Sequence, residues 1–303
     1  MSTTLEENVT TDNLSIKLST SVSQPQAPPT QEASPENAFE VTDDSEETCY
    51  NMSSSPRGLF VLINQRDFGA ESPFYGTTRT GTDEDARELE ELFKELGFEV
   101  EKHENQTKAG MRKIFLDVQK RKNLNSFACA ILSHGEEGKV FCHDGEEPLE
   151  IKILADDVSK NSNLVGKPKF WIIQACRGDE AEEPIAAGAD ADSDGSQDRK
   201  LTLPLHADFL FAYSSAPGFA VFRNKQGSWF IQELVNVFRQ QAHKMDVVRM
   251  LTRVNHRVAS KRSRANVKAL HNKCQIPSIT SQLRKDFYLM PSKPLSQKQT
   301  AWC

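Results

Sequence analysis

The sequence lacks long apolar runs, a surplus of positive charge and the features of a secretory signal. No stretch of the 303 residues approaches the roughly 18 apolar residues that a membrane-spanning helix needs, so we predict no membrane segment. The N-terminal region has neither a basic cluster nor an apolar core, which argues against secretion. The net charge of −6 provides no overall cationic surface for phosphates. We therefore predict neither a membrane nor a nucleic acid as a partner.

Cysteines are few and show no paired spacing. The chain has six, at positions 49, 129, 142, 176, 274 and 303. This pattern fits a reducing compartment better than a disulfide framework, so we expect a cytoplasmic protein. Cys129, Cys142 and His143 do not form the two-ligand clusters that zinc sites use. The sequence thus predicts no metal site, and it implies no cofactor.

Two regions have too few apolar residues to form a core. Residues 1–56 contain Lys17 as their only basic residue and are rich in Ser, Thr, Asp, Glu and Pro, so we expect 1–48 to be a disordered leader. Residues 179–200 carry eight acidic side chains and no base before Arg199. A structureless loop of this length inside a domain indicates function or processing. The end of the chain, 291–303, is a polar tail.

The remaining sequence alternates between apolar strands and amphipathic helices. Predominantly apolar runs are typical of strands buried on both faces, and they occur at 58–64, 126–132, 168–175 and 207–213. Residues 98–101 alternate and predict a further strand, while 275–283 and 286–290 look extended. Helical periodicity covers 82–96, with Thr82 as its cap, and then 107–122, 150–160, 228–244 and 246–262. This order predicts an α/β sandwich around a mainly parallel sheet.

A cysteine and a histidine follow two of these strands directly. Cys176 lies in Gln-Ala-Cys-Arg-Gly at 174–178, and His134 lies in Ser-His-Gly at 133–135. Ligands of open α/β sheets bind at the carboxyl ends of strands, so both side chains can face one cleft. A thiolate with a neighbouring base is a nucleophile, and the N–H groups of Gly135 and Cys176 could stabilise an oxyanion. An arbitrary Cys and His would instead be a structural thiol and a hydrogen-bonded polar residue.

With these two motifs the sequence resembles the caspases. The segment 77–83, Thr-Thr-Arg-Thr-Gly-Thr-Asp, and Phe-Arg-Asn at 222–224 are similar to further family motifs. The resemblance implies a caspase-like three-layer sandwich, a central mainly parallel six-stranded sheet with about five helices, and a Cys–His endopeptidase that cleaves after aspartate. It also implies substrate-binding and orienting roles for Arg79, Gln174, Arg223, Ser133, Asn224, Trp229 and, through its carbonyl, Thr77. Trp229 could equally be a core residue that begins its helix.

The resemblance further implies a zymogen that is cut at aspartates. Candidate sites are Asp190, Asp192, Asp194 and Asp198 in the acidic linker, and Asp43 or Asp44 in the leader. Cutting would separate a large part, 49–178, from a small part, 201–303. Such heterodimers pair in the family, and 275–281 matches the central dimer strand. Partners would be protein substrates with aspartate at P1 and an upstream activating protease. The acids could instead serve only to keep an exposed loop solvated.

The sequence departs from the family pattern next to the substrate motifs. Ala220 replaces an aromatic residue, Phe222 replaces a tryptophan, and Lys-Arg-Ser-Arg at 261–264 replaces an aromatic loop. We therefore expect a more open S2 pocket and a basic S4 rim. The short leader favours an executioner-type caspase that acts in apoptosis. The alternative, a protein without enzymatic activity, is a catalytically silent homologue that serves as a scaffold or dimerisation partner.

Overall fold

The computed structural model describes the backbone of 10–11 and residues 48–145, 147–178, 206–264 and 270–289. Within these ranges the strands are β1 (Thr10–Thr11), β2 (Leu59–Asn64), β3 (Glu99–Glu104), β4 (Phe127–Leu132), β5 (Gly135–Glu136), β6 (Lys139–Val140), β7 (Leu149–Glu150), β8 (Lys169–Gln174), β9 (Phe209–Tyr213), β10 (Phe222–Asn224), β11 (Gly227–Ser228) and β12 (Ser278–Ser281). The helices are α1 (Thr82–Glu95), α2 (Lys108–Lys120), α3 (Ile151–Ser159), α4 (Trp229–Gln241) and α5 (Val247–Ala259), with a 3-10 turn at Ser162–Leu164. None of these helices is long and apolar enough to cross a membrane.

A sheet of six strands runs through the molecule in the order β12-β9-β8-β4-β2-β3. All neighbouring strands are parallel except β12, which is antiparallel to β9. Every residue of β2, β4 and β8 is buried, because parallel strands with helices on both sheet faces have no solvent side. The predicted mainly parallel six-stranded sheet is confirmed.

Side chains from successive strand residues enter two separate cores. Phe60 and Leu62 pack with α1, α4 and α5 on one face of the sheet. Val61 and Ile63 pack with α2 and α3 on the other face. This division follows from the two-residue period of a strand. The result is the predicted three-layer sandwich with five α-helices among the described residues.

The start of α1 differs from the prediction. The N-cap residue is Gly81, at φ 87°, and it provides no side-chain cap. The prediction that Thr82 caps the helix was therefore wrong. The Thr82 hydroxyl donates to Asn64 Oδ1 at 2.7 Å and accepts from Arg79 Nη1 at 2.9 Å, so it links the helix to β2 and to the preceding loop. Strand β3 also extends to Glu104, beyond the predicted end at 101, because its parallel ladder with β2 continues to Asn64.

Several predictions fall outside the described residues. These are the linker, the tail, the leader apart from its two strand residues, and the candidate cleavage positions Asp43, Asp44, Asp190, Asp192, Asp194 and Asp198. The leader was expected to lack regular structure throughout. The structure instead gives it one short strand, because Thr10–Thr11 pairs with β10.

A threonine caps α2. The Thr107 hydroxyl accepts a hydrogen bond from the Gly110 N–H at 3.0 Å, which satisfies one of the unpaired amide groups of the first helical turn.

We expect Thr107→Ala to lower the free energy of unfolding by about 1 kcal/mol, since it removes this acceptor. Thr107→Ser keeps the hydroxyl and should lose less than half of that amount. Urea-induced unfolding monitored by circular dichroism measures both variants. Equal losses in the two variants would contradict the capping role.

Candidate active site

The register between β4 and β8 places the predicted cysteine and histidine side by side. The last residue pair of this parallel ladder is Leu132 with Gln174. His134 and Cys176 each follow two residues later along the chain. The Ser133 N–H donates to the Gln174 carbonyl at 3.1 Å, which continues the contact beyond the ladder. Both residues therefore emerge together at the carboxyl edge of the sheet.

Gly135 packs directly against the backbone that carries Cys176. A Cβ atom added at Gly135 would lie 2.7 Å from the Lys139 carbonyl oxygen, 2.8 Å from Ala175 Cβ and 3.1 Å from the Cys176 carbonyl oxygen. No side chain fits at these distances without displacing the backbone. This close approach joins the segment after β4 to the segment after β8.

The His134 imidazole is held by aromatic rings. It stacks on Phe74 with a centroid distance of 3.9 Å and an interplanar angle of 9°, and it contacts Phe68 at 5.1 Å. Phe74 also packs edge-on against Phe141 at 4.8 Å. Thr77 lies in the same turn, because its N–H and its hydroxyl donate to the Phe74 carbonyl at 3.0 and 2.6 Å. Sequence reasoning missed Phe74, since it stands in a polar loop without periodicity.

The cysteines within the sheet core differ from Cys176 in their setting. Burial raises the pKa of Cys142 to about 12 and that of Cys129 well above its usual range. A thiol with a raised pKa is a poor source of thiolate. Cys176 is also fully buried, but it follows the end of β8 and packs with Ala220 and Val221. Across the described ranges, no group of three or more His, Cys, Asp or Glu side chains could hold a metal ion.

The guanidinium of Arg79 is buried below the loop that precedes α1. Arg79 is 1% exposed, and its Nη1 donates to the Gln65 carbonyl at 3.0 Å and to Thr82 Oγ1 at 2.9 Å. A buried cation is costly unless anionic or strongly polar groups surround it. These contacts fix the orientation of the side chain.

A second buried guanidinium comes from β10. Arg223 is 4% exposed, and its Nε donates to the Thr80 carbonyl at 2.8 Å. Gly81 allows this loop to reach β10, because it has φ 87° and a Cβ there would lie 2.0 Å from the Asn224 carbonyl oxygen. The loop that carries Arg79 and the strand that carries Arg223 are therefore in direct contact.

Asp85 interacts electrostatically with both of these arginines. Its carboxylate accepts the Ser228 N–H at 2.9 and 3.0 Å. Burial raises the pKa of Asp85 to about 7, although Ser228, Arg223 and Arg79 each act to lower it. Sequence reasoning did not single out this acid. Its position one helical turn before the buried Leu89 was the available signal that it faces inward.

Gln174, the last residue of β8, carries a polar group with unused hydrogen-bonding capacity. The residue is fully buried, yet neither Oε1 nor Nε2 has a hydrogen-bond partner among the described residues. Leaving such a group unsatisfied costs about 1–3 kcal/mol. A buried amide of this kind next to Cys176 is typical of a site that is completed by a polar ligand.

The other predicted substrate-binding side chains have different surroundings. The Ser133 hydroxyl is buried and donates to the Phe141 carbonyl at 2.6 Å. Trp229 is 6% exposed and packs on Phe222 at 4.8 Å, so its side chain belongs to the core. Asn224 accepts from the Gln226 N–H at 2.9 Å, within the turn between β10 and β11.

Gln275 is a further residue that sequence reasoning did not single out. Its Oε1 accepts the Phe222 N–H at 2.9 Å, and its Nε2 donates to the Ser214 carbonyl at 2.7 Å. Ser214 in turn donates to the Ala175 carbonyl at 3.0 Å. A chain of hydrogen bonds thus connects β10 to the residue before Cys176. The sequence placed Gln275 in an extended segment that matches the central dimer strand, but it gave no sign of these side-chain contacts, because a hydrogen bond to a distant backbone leaves no pattern.

Comparison with known proteins agrees with this geometry. A family model described as the caspase domain matches residues 57–288. Caspase-3 of Bos taurus is 40% identical over 248 residues, which cover 80% of this chain and 88% of the relative. Caspase-3 of Mesocricetus auratus is 38% identical over 249 residues, which cover 80% of this chain and 87% of the relative. Caspase-7 of Gallus gallus is 36% identical over 248 residues, covering 79% of both chains.

The chain belongs to the caspase family. The predicted membership is confirmed, and with it a cysteine-type endopeptidase, directed to aspartate, that acts in apoptosis. Protein substrates cleaved after aspartate and the general caspase dimer arrangement follow from the same membership. The alternative of a catalytically silent scaffold is not favoured.

The raised pKa of Asp85 gives a testable pH dependence. Between about pH 4 and pH 7 the folded protein holds a proton on Asp85 that the unfolded chain has released. The contribution of this group to stability is therefore present at low pH and is lost as the pH rises to about 7. Asp85→Asn has no such proton to lose, so its free energy of unfolding should decline less over this range than that of the unsubstituted protein.

Urea unfolding at about pH 5 and about pH 8 gives the decline in unfolding free energy for each protein. The decline of the variant is then compared with that of the unsubstituted protein. Asp83→Asn is the matched control, because Asp83 lies in the same helical turn with its side chain half exposed. It should leave the decline unchanged. A decline in Asp85→Asn as steep as that of the unsubstituted protein would rule out this assignment.

Proposed function

We propose that Cys176 and His134 form the catalytic dyad of this endopeptidase. His134 accepts the proton of the Cys176 thiol, and the thiolate attacks the scissile carbonyl carbon. The C–N bond then breaks as His134 passes this proton to the departing amine. Water, deprotonated by His134, then hydrolyses the thioester and restores the thiol. The observation that carries the proposal is the β4–β8 register, which places both residues at one sheet edge.

The backbone N–H groups of Gly135 and Cys176 are proposed to stabilise the oxyanion. The support is the close approach of Gly135, which leaves no room for a Cβ beside Ala175 and Cys176. Removal of one such donor costs roughly 10²–10³ in rate. In the same proposal the Thr77 carbonyl orients His134. The turn that joins Thr77 to Phe74 supports this role, because Phe74 stacks on the imidazole.

Selectivity for aspartate at P1 is proposed to come from Arg79, Arg223 and Gln174. The guanidiniums of Arg79 and Arg223 are both buried, and the loop and the strand that carry them are in contact, so both can serve one substrate carboxylate. Guanidinium groups bind carboxylates with paired hydrogen bonds. The unsatisfied amide of Gln174 supplies a further polar partner.

The roles of the residues that would form the S2 and S4 subsites remain predictions. Asn224 lies on β10, where it could contribute to S4, whereas the burial of Ser133 and Trp229 favours indirect roles that shape the site. Ala220 is small and lies beside Cys176, which supports a more open S2 pocket. The exposed Arg264 belongs to the predicted basic S4 rim at 261–264.

Activation and assembly follow the family pattern in this proposal. The zymogen is cut by an upstream protease in the linker 179–200, at Asp190, Asp192, Asp194 or Asp198, and loses its leader after Asp43 or Asp44. The large part, 49–178, and the small part, 201–303, then form a heterodimer, and two heterodimers pair through β12. The edge position of β12 in the sheet supports this pairing. The enzyme is proposed to be an executioner caspase of the cytoplasm.

Covalent labelling tests the dyad directly. Full-length protein, with and without a cut introduced in the linker, is treated with a P1-aspartyl acyloxymethyl ketone and analysed by mass spectrometry. We expect label on Cys176 in the cut protein and self-made cuts after linker aspartates. Cys176→Ala should abolish both, and His134→Ala should slow labelling by at least about 10²-fold. Cys49→Ala, an exposed cysteine away from the site, is the control.

Two results would contradict the proposal. One is the absence of label in linker-cut protein that remains folded by circular dichroism. The other is labelling that persists at the original rate in Cys176→Ala.

A further inference from the structure

Helix α5 places a row of cations on the surface of an otherwise acidic protein. Its sequence, Val-Val-Arg-Met-Leu-Thr-Arg-Val-Asn-His-Arg-Val-Ala, has three arginines and a histidine but no aspartate or glutamate. The chain as a whole carries a net charge of −6. The apolar side chains of α5 are buried in the core, and these are Val247, Met250, Leu251, Val254 and Val258. The cations therefore collect on the outward face of the helix.

A groove of about 440 Å³ lies between the end of α4 and this outward face of α5. The described residues that line the groove are Gln241, Arg249, Thr252, Arg253, His256 and Arg257. None of these residues is an acid, so an anion in the groove meets no like charge from this lining. Helix α4 follows β11 and ends at Gln241, which places the groove about 18 Å along the helix from β11.

Two of the arginines have only weak contacts with the described part of the protein. The side chain of Arg249 is 75% exposed, and its Nε lies 3.9 Å from the carboxylate of Asp246. Arg253 Nε donates to Met245 Sδ at 3.2 Å, and Arg253 forms no ion pair with the described residues. Exposed ion pairs contribute little to stability, so both guanidiniums can accept a new anionic partner at low cost.

The third arginine shares its internal partners. Arg257 Nη1 lies 3.7 Å from the Glu233 carboxylate, which also pairs with Lys261 at 2.9 Å. Arg257 Nη2 donates to Gln240 Oε1 at 2.9 Å. These contacts hold the Arg257 side chain at the groove, where it forms part of the lining.

The spacing of the arginines matches that of an extended peptide. Arg249, Arg253 and Arg257 recur at every fourth residue, and four residues of an α-helix rise by about 6 Å. Alternate side chains of an extended chain repeat at about 6.6 Å on the same side. A peptide that lies along α5 with carboxylates at alternate residues can therefore present one carboxylate to each guanidinium. Guanidiniums bind carboxylates through charge-assisted hydrogen bonds, often in pairs.

The surroundings of the groove favour a short acidic peptide over a nucleic acid. Grooves that bind single-stranded nucleic acids combine cations with aromatic side chains on which the bases stack. The described lining of this groove contains no Phe, Tyr or Trp. The net charge of −6 also opposes a long polyanion, whereas a short peptide meets only the local positive surface.

We propose that the groove along α5, with Arg249, Arg253 and Arg257, is a docking site for an extended acidic segment of a protein substrate. The segment carries carboxylates at alternate residues and is separate from the residues around the bond that is cut. Docking raises the local concentration of the substrate at the active site and takes no part in the chemical step. The contact with an acidic peptide does not depend on the catalytic assignment, whereas its use in cleavage rests on the proposed function.

Fluorescence anisotropy of a labelled Glu-Ser-Glu-Ser-Glu peptide tests the contact on the Cys176→Ala protein, where no cleavage interferes. Arg249→Gln combined with Arg253→Gln and Arg257→Gln should weaken its Kd by about tenfold, because three ion pairs are lost together. The substituted side chains project from the outward face of α5, so circular dichroism should show an unchanged fold.

A second triple variant separates the site from net charge. Lys94→Gln combined with Lys113→Gln and Lys120→Gln removes the same charge from exposed lysines of α1 and α2 that also pair with acids. We expect this control to change the Kd by less than about twofold, because solvent and salt screen distant surface charges. Equal losses of affinity in the two triple variants would overturn the proposal.

The order of the charges in the peptide tests its alignment with α5. Glu-Glu-Glu-Ser-Ser has the same composition but groups its carboxylates, so it should bind about threefold more weakly, through fewer arginines. Equal affinity of the two peptides would overturn the alternate spacing. Tighter binding of a single-stranded oligonucleotide of the same charge would overturn the choice of an acidic peptide.

Kinetics of the linker-cut enzyme test the use of the groove. A protein substrate with a Glu-Ser-Glu-Ser-Glu tail should show a kcat/KM about tenfold above that of the same substrate with a Gln-Ser-Gln-Ser-Gln tail, through a lower KM. The triple arginine variant should lose this advantage and cleave the neutral-tailed substrate at the original rate. An advantage that persists in this variant would overturn the docking role. If the catalytic assignment failed instead, Cys176→Ala would leave cleavage intact while peptide binding stayed sensitive to the arginines.

Discussion

The parallel register of β4 and β8 is the constraint on which the site depends. It sets Leu132 opposite Gln174, so that His134 and Cys176 emerge at equal distances from their last shared pair. A slip of one residue would turn each strand residue to the other core. The two cores resist such a slip, because both faces of these strands are packed with helices. Gly135 then allows the two emerging segments to touch.

The second organising feature is a small cluster of buried charge. Arg79 comes from the loop before α1, Arg223 comes from β10, and Asp85 from α1 interacts electrostatically with both. Each is difficult to bury alone, and together they fix the loop, the helix and the strand relative to one another. The cluster is therefore a structural junction, and its two guanidiniums are the groups that we propose to bind the P1 carboxylate of a substrate.

The central sheet and the family membership could both be predicted from particular residues. Unbroken apolar runs such as Phe127–Leu132 predicted fully buried strands, and the motifs around Cys176 and His134 indicated the family. The prediction that Thr82 caps α1 was wrong because its hydroxyl forms hydrogen bonds with Asn64 and Arg79, and no local pattern encodes a tertiary partner. Phe74 and Gln275 were missed for the same reason, whereas the spacing of Asp85 from the buried Leu89 was a signal that was not used. Their roles arise from contacts between segments distant in the chain.

The selectivity at P1 tests the account most directly. We would measure kcat/KM of the linker-cut enzyme for two peptides that differ only by aspartate or the isosteric asparagine at P1. The buried arginine pair predicts a preference for aspartate of about 10⁴ or more, because a neutral amide cannot form the charge-assisted hydrogen bonds that guanidiniums make with a carboxylate. A ratio within about tenfold would contradict the account. It would mean that the arginine pair does not face the residue before the scissile bond.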